Sequence, residues 1–444
     1  MKAKFHVKAW LRGLVLEALR ALARYELKRI HPRIVGVTGS AGKTSGKEAI
    51  FEVLARRLEV RKSEKNLNTE FGTVLSVLGQ KSGCAGILGW IRTLWRGTLK
   101  VLRKVDMYDT IVLEMGVDKP GDMDEILQVI RPDVMVFFNV KGEHLDEGQF
   151  ANKQAIFEEK SKAVYAASPD GWAVLNMDDN FVKQLDGKLP ANVVKIGTGE
   201  ECDLRAQNIE SGVDGLKFVL AYEGRELPVH MPHILGACHV TIALAAIAVG
   251  FICGLKWSVI EHGLKEFRLP AGRMNRIPGK NGSLLIDSSY NASPDSTEAA
   301  LEVLEFFGGP GSVGPAGPEA GRPRKIAALG TMNELGELTE TAHLKIGKLA
   351  ARIADVLITV GKYGAVLAEG ANREGMPAEM IHVFKTSREA GAFLEGMLER
   401  NDVVLVKGSQ NNVRMEHLVK ACMQEPEKAR QLLVRQEPYW LTKL

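Results

Sequence analysis

Lys43 and Thr44 close a glycine-rich run, "VGVTGSAGKTSGKEAI" (35–50), whose spacing suits chemistry on phosphates. A phosphate-binding loop of the G-x-x-x-x-G-K-[ST] kind needs its first glycine at position 37; Val37 stands there, and the glycines fall at 36, 39 and 42. A shorter loop can do the same work. Gly39, Ser40, Ala41 and Gly42 bring backbone N–H groups to a phosphate, because the glycines tolerate the dihedrals and the close approach that this needs. Lys43 then meets the β- and γ-phosphates, Thr44 ligates magnesium, and the following helix presents its positive end. Glu114 closes the apolar run "DTIVLEMG" (109–116), and a carboxylate at the carboxyl end of a strand can hold a metal against a nucleotide phosphate. His144 follows the next run, "DVMVFFNV" (133–140), and could reach the same edge. From the residues alone, Glu114 reads equally as a solvated carboxylate and His144 as a structural histidine.

These side chains need strands that end together. "RIVGVTG" (33–39) is short, apolar and β-branched, and helical periodicity follows at 44–58. That strand, glycine turn and helix are the context the phosphate loop requires. Further runs at 109–116, 133–140 and 171–178, with helical patterns between, predict a parallel sheet covered on both faces. Shorter strands with turns follow at about 202–230, and "EFRLPAGRM" (266–274) reads as a linker. The alternation then restarts with strands at 283–289, 325–330, 355–361, 381–384 and 402–408 and a helix at 295–307. The glycine- and proline-rich segment 308–324 reads as a mobile loop. The fold class is α/β: a short amphipathic helix, a central P-loop ATPase domain with a parallel sheet, and a C-terminal Rossmann-like α/β domain. The boundaries fall at 1–32, 33–269 (with an inserted amphipathic segment at about 80–105) and 270–444.

At 444 residues, 45% apolar and 25% charged, the chain is long enough for more than one soluble globular domain. Its five cysteines include no C-x-x-C pair, which argues against a zinc ribbon or a disulfide framework and suits a reducing cytoplasm. The net charge of +4 hides an asymmetry: residues 1–33 carry nine Lys/Arg against Glu17 and Glu26, and residues 80–105 carry six with no acid. Those segments hold +13, the rest of the chain −9, so the positive charge is local and marks a partner surface. Charges interrupt the N-terminal apolar pattern, which therefore does not read as a secretory signal. The longest nearly apolar stretch, 240–255, is too short to cross a bilayer and predicts a buried helix.

Several stretches together resemble one family. "TGSAGKT" (38–44), "NLNTEFG" (66–72), "LEMG" (113–116), "GEHLDEG" (142–148), "AVLNMDDN" (173–180), "GRMNRIPGKNGSLLIDSSYNASPDSTEAALEVL" (272–304), "IAALGTMNELGELTETAH" (326–343) and "VLVKGSQNNVRME" (404–416) are similar, in order, to the motifs of the Mur ligases. These are ATP-dependent amide-forming enzymes of peptidoglycan precursor assembly, and the nearest branch adds D-alanyl-D-alanine to a muramoyl tripeptide. The glycine spacing of the loop is that family's own. The resemblance implies that Gly39, Gly42 and Lys43 hold the ATP phosphates, that Thr44 and Glu114 hold one Mg²⁺, and that His144 binds a second metal. Lys160 falls where the family has a lysine carbamylated by CO₂, a cation turned into a metal-ligating or metal-supporting anion. Arg273 is implied to reach the phosphates, with Tyr290 and Asn291 in the nucleotide-facing turn. The implied partners are a peptidoglycan-precursor-like carboxylate and an amino acid or dipeptide amine, with no nucleic acid.

The chain departs from the family at several positions. "GACHVTIALAA" (236–246) puts Cys238, His239 and Ile242 where the family has His, Asn and Asn; Ile242 cannot make an amide's contact to a base, and His239 is the candidate substitute. Ser288 and Thr331 replace aspartates, and Gln410 replaces an arginine. Some 33 residues precede the phosphate-loop strand where the family carries a UDP-sugar-binding domain. Two alternatives therefore stay open: the same chemistry on a lipid-linked or non-muramoyl acceptor, and a weakly catalytic nucleotide-binding scaffold. The segment 82–104 sets Arg92, Arg96, Lys100 and Arg103 on one stripe of a helix, with Ile91, Leu94, Trp95 and Leu102 largely on another side. Together with residues 5–29 it either rests on the inner membrane leaflet or a membrane-bound partner, or packs its apolar faces away. The expected location is the cytoplasm, peripheral to the membrane in the first case.

Overall fold

The protein is described by a computed structural model over residues 2–64, 70–80, 87–103, 107–142, 149–308, 321–410 and 413–442. By compactness it divides into two units: Met1–Gln207, Val219–Pro228 and Val240–Leu264 in one, and Asn208–Phe218, Val229–His239 and Lys265–Leu444 in the other.

A long helix, α1 (Lys2–Ile30), leads into β1 (Arg33–Thr38) and α2 (Lys43–Leu54). There follow β2 (Val60–Lys62), α3 (Glu70–Val77), α4 (Ile87–Arg103), β3 (Thr110–Glu114), α5 (Asp122–Leu127), β4 (Val134–Phe137), α6 (Lys153–Tyr165), β5 (Trp172–Asn176) and β6 (Asn192–Gly197). After these come β7 (Leu204–Gly212), β8 (Gly215–Tyr222), β9 (Arg225–Met231), α7 (Val240–Ile252) and α8 (Trp257–Glu266). The strands form one sheet in the order β2-β3-β1-β4-β5-β6-β7-β8-β9, with every pair from β2 to β7 parallel. Past Arg33, every residue of β1, β3 and β4 is buried, the consequence of helices covering both faces of a parallel sheet. Two-residue turns join β7 to β8 and β8 to β9, so these strands run antiparallel.

The segment 240–255 is the buried helix its composition predicts: α7 packs against α2, β5 and β6. α1 buries Leu16, Leu19 and Ala23 and packs against α3 and α4. Its buried Arg20 bonds Glu17 at 2.7 Å, Gln128 at 2.8 Å and Glu125, which fastens the leader helix to α5 and the turn that ends it.

The second unit holds β10 (Asn275–Pro278), β11 (Leu284–Ser288), α9 (Pro294–Glu305), β12 (Lys325–Gly330), α10 (Thr339–Ile353), β13 (Val356–Val360), α11 (Gly364–Arg373), β14 (Ile381–Phe384), α12 (Ser387–Met397) and β15 (Val403–Lys407). Three short helices close it: α13 (Glu416–Cys422), α14 (Ala429–Leu432) and α15 (Pro438–Leu441). Its sheet runs β10-β11-β15-β12-β13-β14, parallel except for β10 against β11. Local chemistry starts its helices: Ser293 and Ser296 form a capping box ahead of Pro294, and Thr386 and Glu389 form another.

One expectation needs adjustment. The apolar side chains of the inserted helix do not share one side, because Leu94 packs onto the core while Trp95 and Leu102 stay exposed. Most of the predicted mobile loop, 309–320, lies outside the described residues, as does His144.

Candidate active site

The carboxyl end of β1 lies at the switch point of the first sheet, where β3 and β4 flank it on opposite sides and ligands of open α/β sheets bind. The loop there turns on two glycines, Gly39 at φ +147° and Gly42 at φ +85°, conformations that a side chain resists. Gly46 meets a different demand: a Cβ there would come within 2.3 Å of the Phe138 ring, so α2 seats on β4's end only without one. Asn139 holds the loop from outside. Its carbonyl accepts from Ser40 N–H at 2.9 Å, its Oδ1 from Ala41 N–H at 2.8 Å, and its Nδ2 donates to the Ala41 carbonyl at 3.2 Å. Ser40 Oγ accepts from Lys141 N–H at 2.9 Å.

Lys43 Nζ folds across this loop and donates to the carbonyls of Gly39 and Ser40, 2.8 Å each. Thr44 Oγ1 donates to Glu114 Oε2 at 2.9 Å, joining the first turn of α2 to the end of β3. The hydroxyl and the carboxylate thus converge where the helix's first N–H groups point outward, an oxygen pair suited to Mg²⁺ beside a phosphate. Glu114 N–H donates to Ser63 Oγ at 3.1 Å, and buried Lys47 donates to the Ser63 carbonyl at 2.5 Å, so the strand end rests on a second tier of bonds.

Lys160 lies on α6 and is 1% exposed. The preceding Glu159 accepts from Gly121 N–H at 3.0 Å and Met123 N–H at 2.8 Å, which ties α6 to the α5 start beyond Glu114. Ile242, on α7, comes within 4.0 Å of the point where a Gly42 side chain would begin, so this position borders the phosphate loop. His239 is turned into its own backbone: Nδ1–H donates to the Leu235 carbonyl at 2.7 Å, with Cys238 Sγ at 3.6 Å. Burial opposes charge on the His239 imidazole, while Cys238 stands exposed beside it. Their mutual attraction outweighs that burial, raising the imidazole and lowering the thiol from their ordinary values.

The other predicted residues belong to the second unit, at the carboxyl ends of β11 and β15. Arg273 stacks over the Tyr290 ring at 4.2 Å, and Tyr290 N–H donates to the Gly272 carbonyl at 3.0 Å. Lys407 Nζ donates to Ser288 Oγ at 3.3 Å and to the Asn291 carbonyl at 2.9 Å. Ser409 Oγ donates to the Ala292 carbonyl at 3.0 Å and accepts from Asn333 N–H at 2.9 Å. Under this layer lies Asp287, fully buried. Its Oδ1 accepts from Ser289 N–H at 3.0 Å while Oδ2 has no partner among the described residues, and burial pushes its carboxyl up to about 6.

Two family descriptions match the chain: the Mur ligase middle domain over residues 37–250 and the Mur ligase glutamate ligase domain over 272–410. The UDP-N-acetylmuramoyl-tripeptide--D-alanyl-D-alanine ligase of Mycobacterium tuberculosis (strain ATCC 25618 / H37Rv) is 32% identical over 396 residues, 85% of this chain and 70% of that protein. The chain belongs to the Mur ligase family. The ligase of the same name from Bacillus subtilis (strain 168) is 28% identical over 412 residues, 93% of this chain and 80% of that one. Among solved structures, MurF from Acinetobacter baumannii superposes at TM-score 0.74 with 25% identity, covering 91% of this chain and 79% of that one. MurF ligase from Thermotoga maritima, in complex with ADP, superposes at 0.72 with 25% identity, covering 93% and 84%.

This Mur ligase is an ATP-dependent enzyme that forms amide bonds. The edges of its two sheets also employ residues to which the sequence motifs assign no role. Asn139 announces itself weakly, as a polar residue just after an apolar strand, and Lys407 likewise ends the run "VVLVK". Lys47 carried no signal, since a lysine four positions into a helix ordinarily points to water.

Proposed function

We propose that this Mur ligase joins D-alanyl-D-alanine to the free carboxyl of a UDP-N-acetylmuramoyl tripeptide in the cytoplasm. The observation that carries the proposal is that ligases of that activity align over 85–93% of this chain, and the family match over residues 37–250 takes in Lys43, Thr44 and Glu114. Residues 33–269 serve as the nucleotide domain behind the helical leader 1–32, with the inserted segment near 80–105, and 270–444 as the second catalytic domain.

A carboxylate is a poor electrophile, so its oxygen first attacks the γ-phosphorus of ATP, the bond to the β-phosphate oxygen breaks, ADP leaves, and the carboxylate becomes an acyl phosphate. The amine of the dipeptide then adds to the acyl carbon, and phosphate leaves as the amide forms. The chain's part is to align these groups and to offset negative charge. Lys43 exchanges the Gly39 and Ser40 carbonyls for phosphate oxygens. Thr44 and Glu114 would hold Mg²⁺, and His144 a second ion; bound metal neutralises charge on the phosphates. Lys160, buried as an amine at a cost, is the residue to be carbamylated by CO₂. The family resemblance is what would assign nucleotide contacts to Arg273, Ser288, Tyr290, Asn291 and His239.

The test is phosphate release from MgATP in bicarbonate, with tripeptide and dipeptide together and each alone. Release that needs both, with an amide product of the expected mass, supports the proposal. No release above a Lys43→Ala blank while ATP still binds discards this acceptor. A weakly catalytic scaffold, the alternative that Ile242 and Ser288 favour, predicts ATP binding without release on any acceptor. Omitting CO₂ and bicarbonate lowers the rate if Lys160 is carbamylated; an unchanged rate removes that role.

A further inference from the structure

α4 has three sides, and docking uses only one. Thr93, Gly97 and Val101, spaced by four, are buried, and Trp90 and Leu94 complete that stripe against the core. Gly97 faces Leu22 of α1 and Leu78 beyond α3, and Trp90 meets the Phe71 ring at 4.9 Å. A helix docked in this way ordinarily turns a polar face to water. α4 instead shows Trp95, 64% exposed, half-buried Leu99, and Leu102, 72% exposed, on one solvent stripe. Arg92, Arg96 and Arg103 form the adjoining stripe, all exposed, and no carboxylate among the described residues pairs with them. α1 adds Leu14 and Tyr25, eleven residues apart and hence on one face, 50% and 56% exposed.

We propose that the outer face of α4, with α1 beside it, is a seat for an anionic lipid bilayer. The chemistry is complementary on both stripes: Trp95, Leu99 and Leu102 enter the boundary between headgroups and acyl chains, while the arginines reach back to lipid phosphates. No described helix is long and apolar enough to cross a membrane, so the contact is peripheral. A second copy of the chain fits this face poorly. Residues 80–105 carry six cations and no acid, and a two-fold contact would set that charge against itself. The strip is also small: a helix of this length offers about 25 Å by about 10 Å, well below the roughly 800 Å² per partner of a stable protein interface. A bilayer needs no such area, because it wraps the stripe and supplies phosphates at any register.

The experiment is flotation of the full chain with vesicles of phosphatidylcholine alone and of phosphatidylcholine with three parts in ten phosphatidylglycerol. Two variants accompany it, Arg92→Gln/Arg96→Gln/Arg103→Gln and Trp95→Ser/Leu102→Ser. The wild type floats with the anionic vesicles at low salt, and not with the neutral ones or in half-molar salt. Affinity falls about fivefold for each arginine removed, and the Trp/Leu variant also loses binding. Both variants keep the circular dichroism and the ATP-dependent rate of the wild type on soluble substrates, since these side chains face solvent. Absence of flotation, equal binding to neutral vesicles, or full binding by both variants overturns the proposal. So does a dimer in light scattering that the Trp/Leu variant dissolves, which would make the face a protein contact.

Discussion

Lys43 and Lys407 both bring an ammonium to the carboxyl end of a parallel sheet, and they are employed differently. Lys43 is half-exposed and bonds carbonyls three and four residues away in its own loop. Those partners are neutral, close in sequence and readily exchanged for phosphate oxygens. Lys407 is buried and bonds Ser288 and Asn291, more than a hundred residues away. It holds the ends of β11 and β15 in register, with Ser409 and Asn333 extending the same network. One cation is poised for a ligand and the other is committed to the scaffold. At the second edge the Ser288 hydroxyl is acceptor enough for Lys407, and the network closes on it.

The strongest way to break this comparison is to remove each lysine in turn. Lys43→Ala should lower the ATP-dependent rate by about 10³-fold, the scale of losing a charge-stabilising donor, with the melting temperature unchanged. Lys407→Ala should instead lower the melting temperature, because buried Ser288 is left without its donor and the exposed Asn291 turn loses its tie to β15. Steady-state phosphate release and calorimetry on both variants decide it, and the reverse pattern would dissolve the distinction.

Asp287 sharpens the second half of it. Burial raises its carboxyl from 3.8 to about 6, so the folded state binds a proton that the unfolded state has already released between those values. Stability therefore falls as pH rises from about 4 to about 6, by about 3 kcal/mol for two pH units of displacement. Asp287→Asn keeps an acceptor for Ser289 N–H and removes the titration. Urea unfolding from pH 4 to pH 7 should show that fall in the wild type and not in the variant; parallel profiles would mean Asp287 stays paired and charged.

The contrast between the two edges is also the contrast in what the sequence made legible. The first site is local. Gly39 to Thr44 are contiguous, Glu114 ends an apolar run, and the strands they need are buried on both faces and so read as continuous apolar stretches. The second edge is assembled from positions 273, 288–292, 333 and 407–409, and nothing in the spacing of those residues says that they meet. β2 and β10 escaped notice because they are short and only partly buried, without the apolar run that marks a central strand. The faces of α4 were half legible: period alone separates basic from apolar stripes, and only packing tells which apolar residues, Leu94 but not Trp95, turn inward.

His343 gives the smallest and most local test of how the second edge is held. It sits in "ELTETAH", fully buried, where Met332 N–H donates to its Nε2 at 2.9 Å and its Nδ1–H donates to the Thr339 carbonyl at 2.6 Å. That arrangement requires a neutral ring, since a proton on Nε2 would face the Met332 N–H. Burial does the rest and holds the imidazole below its ordinary 6.5, against the opposing pull of the Thr339 carbonyl. The folded state thus binds fewer protons than the unfolded one, so the stabilisation is complete above pH 6.5 and is lost as pH falls below it. His343→Ala should cost about 2 kcal/mol at pH 7.5, the price of leaving the Met332 N–H and Thr339 carbonyl unmatched, and progressively less at lower pH. If the loss were the same at pH 7.5 and pH 5, His343 would be acting by bulk alone, and the loop after β12 would owe its shape to Ser409 and Asn333.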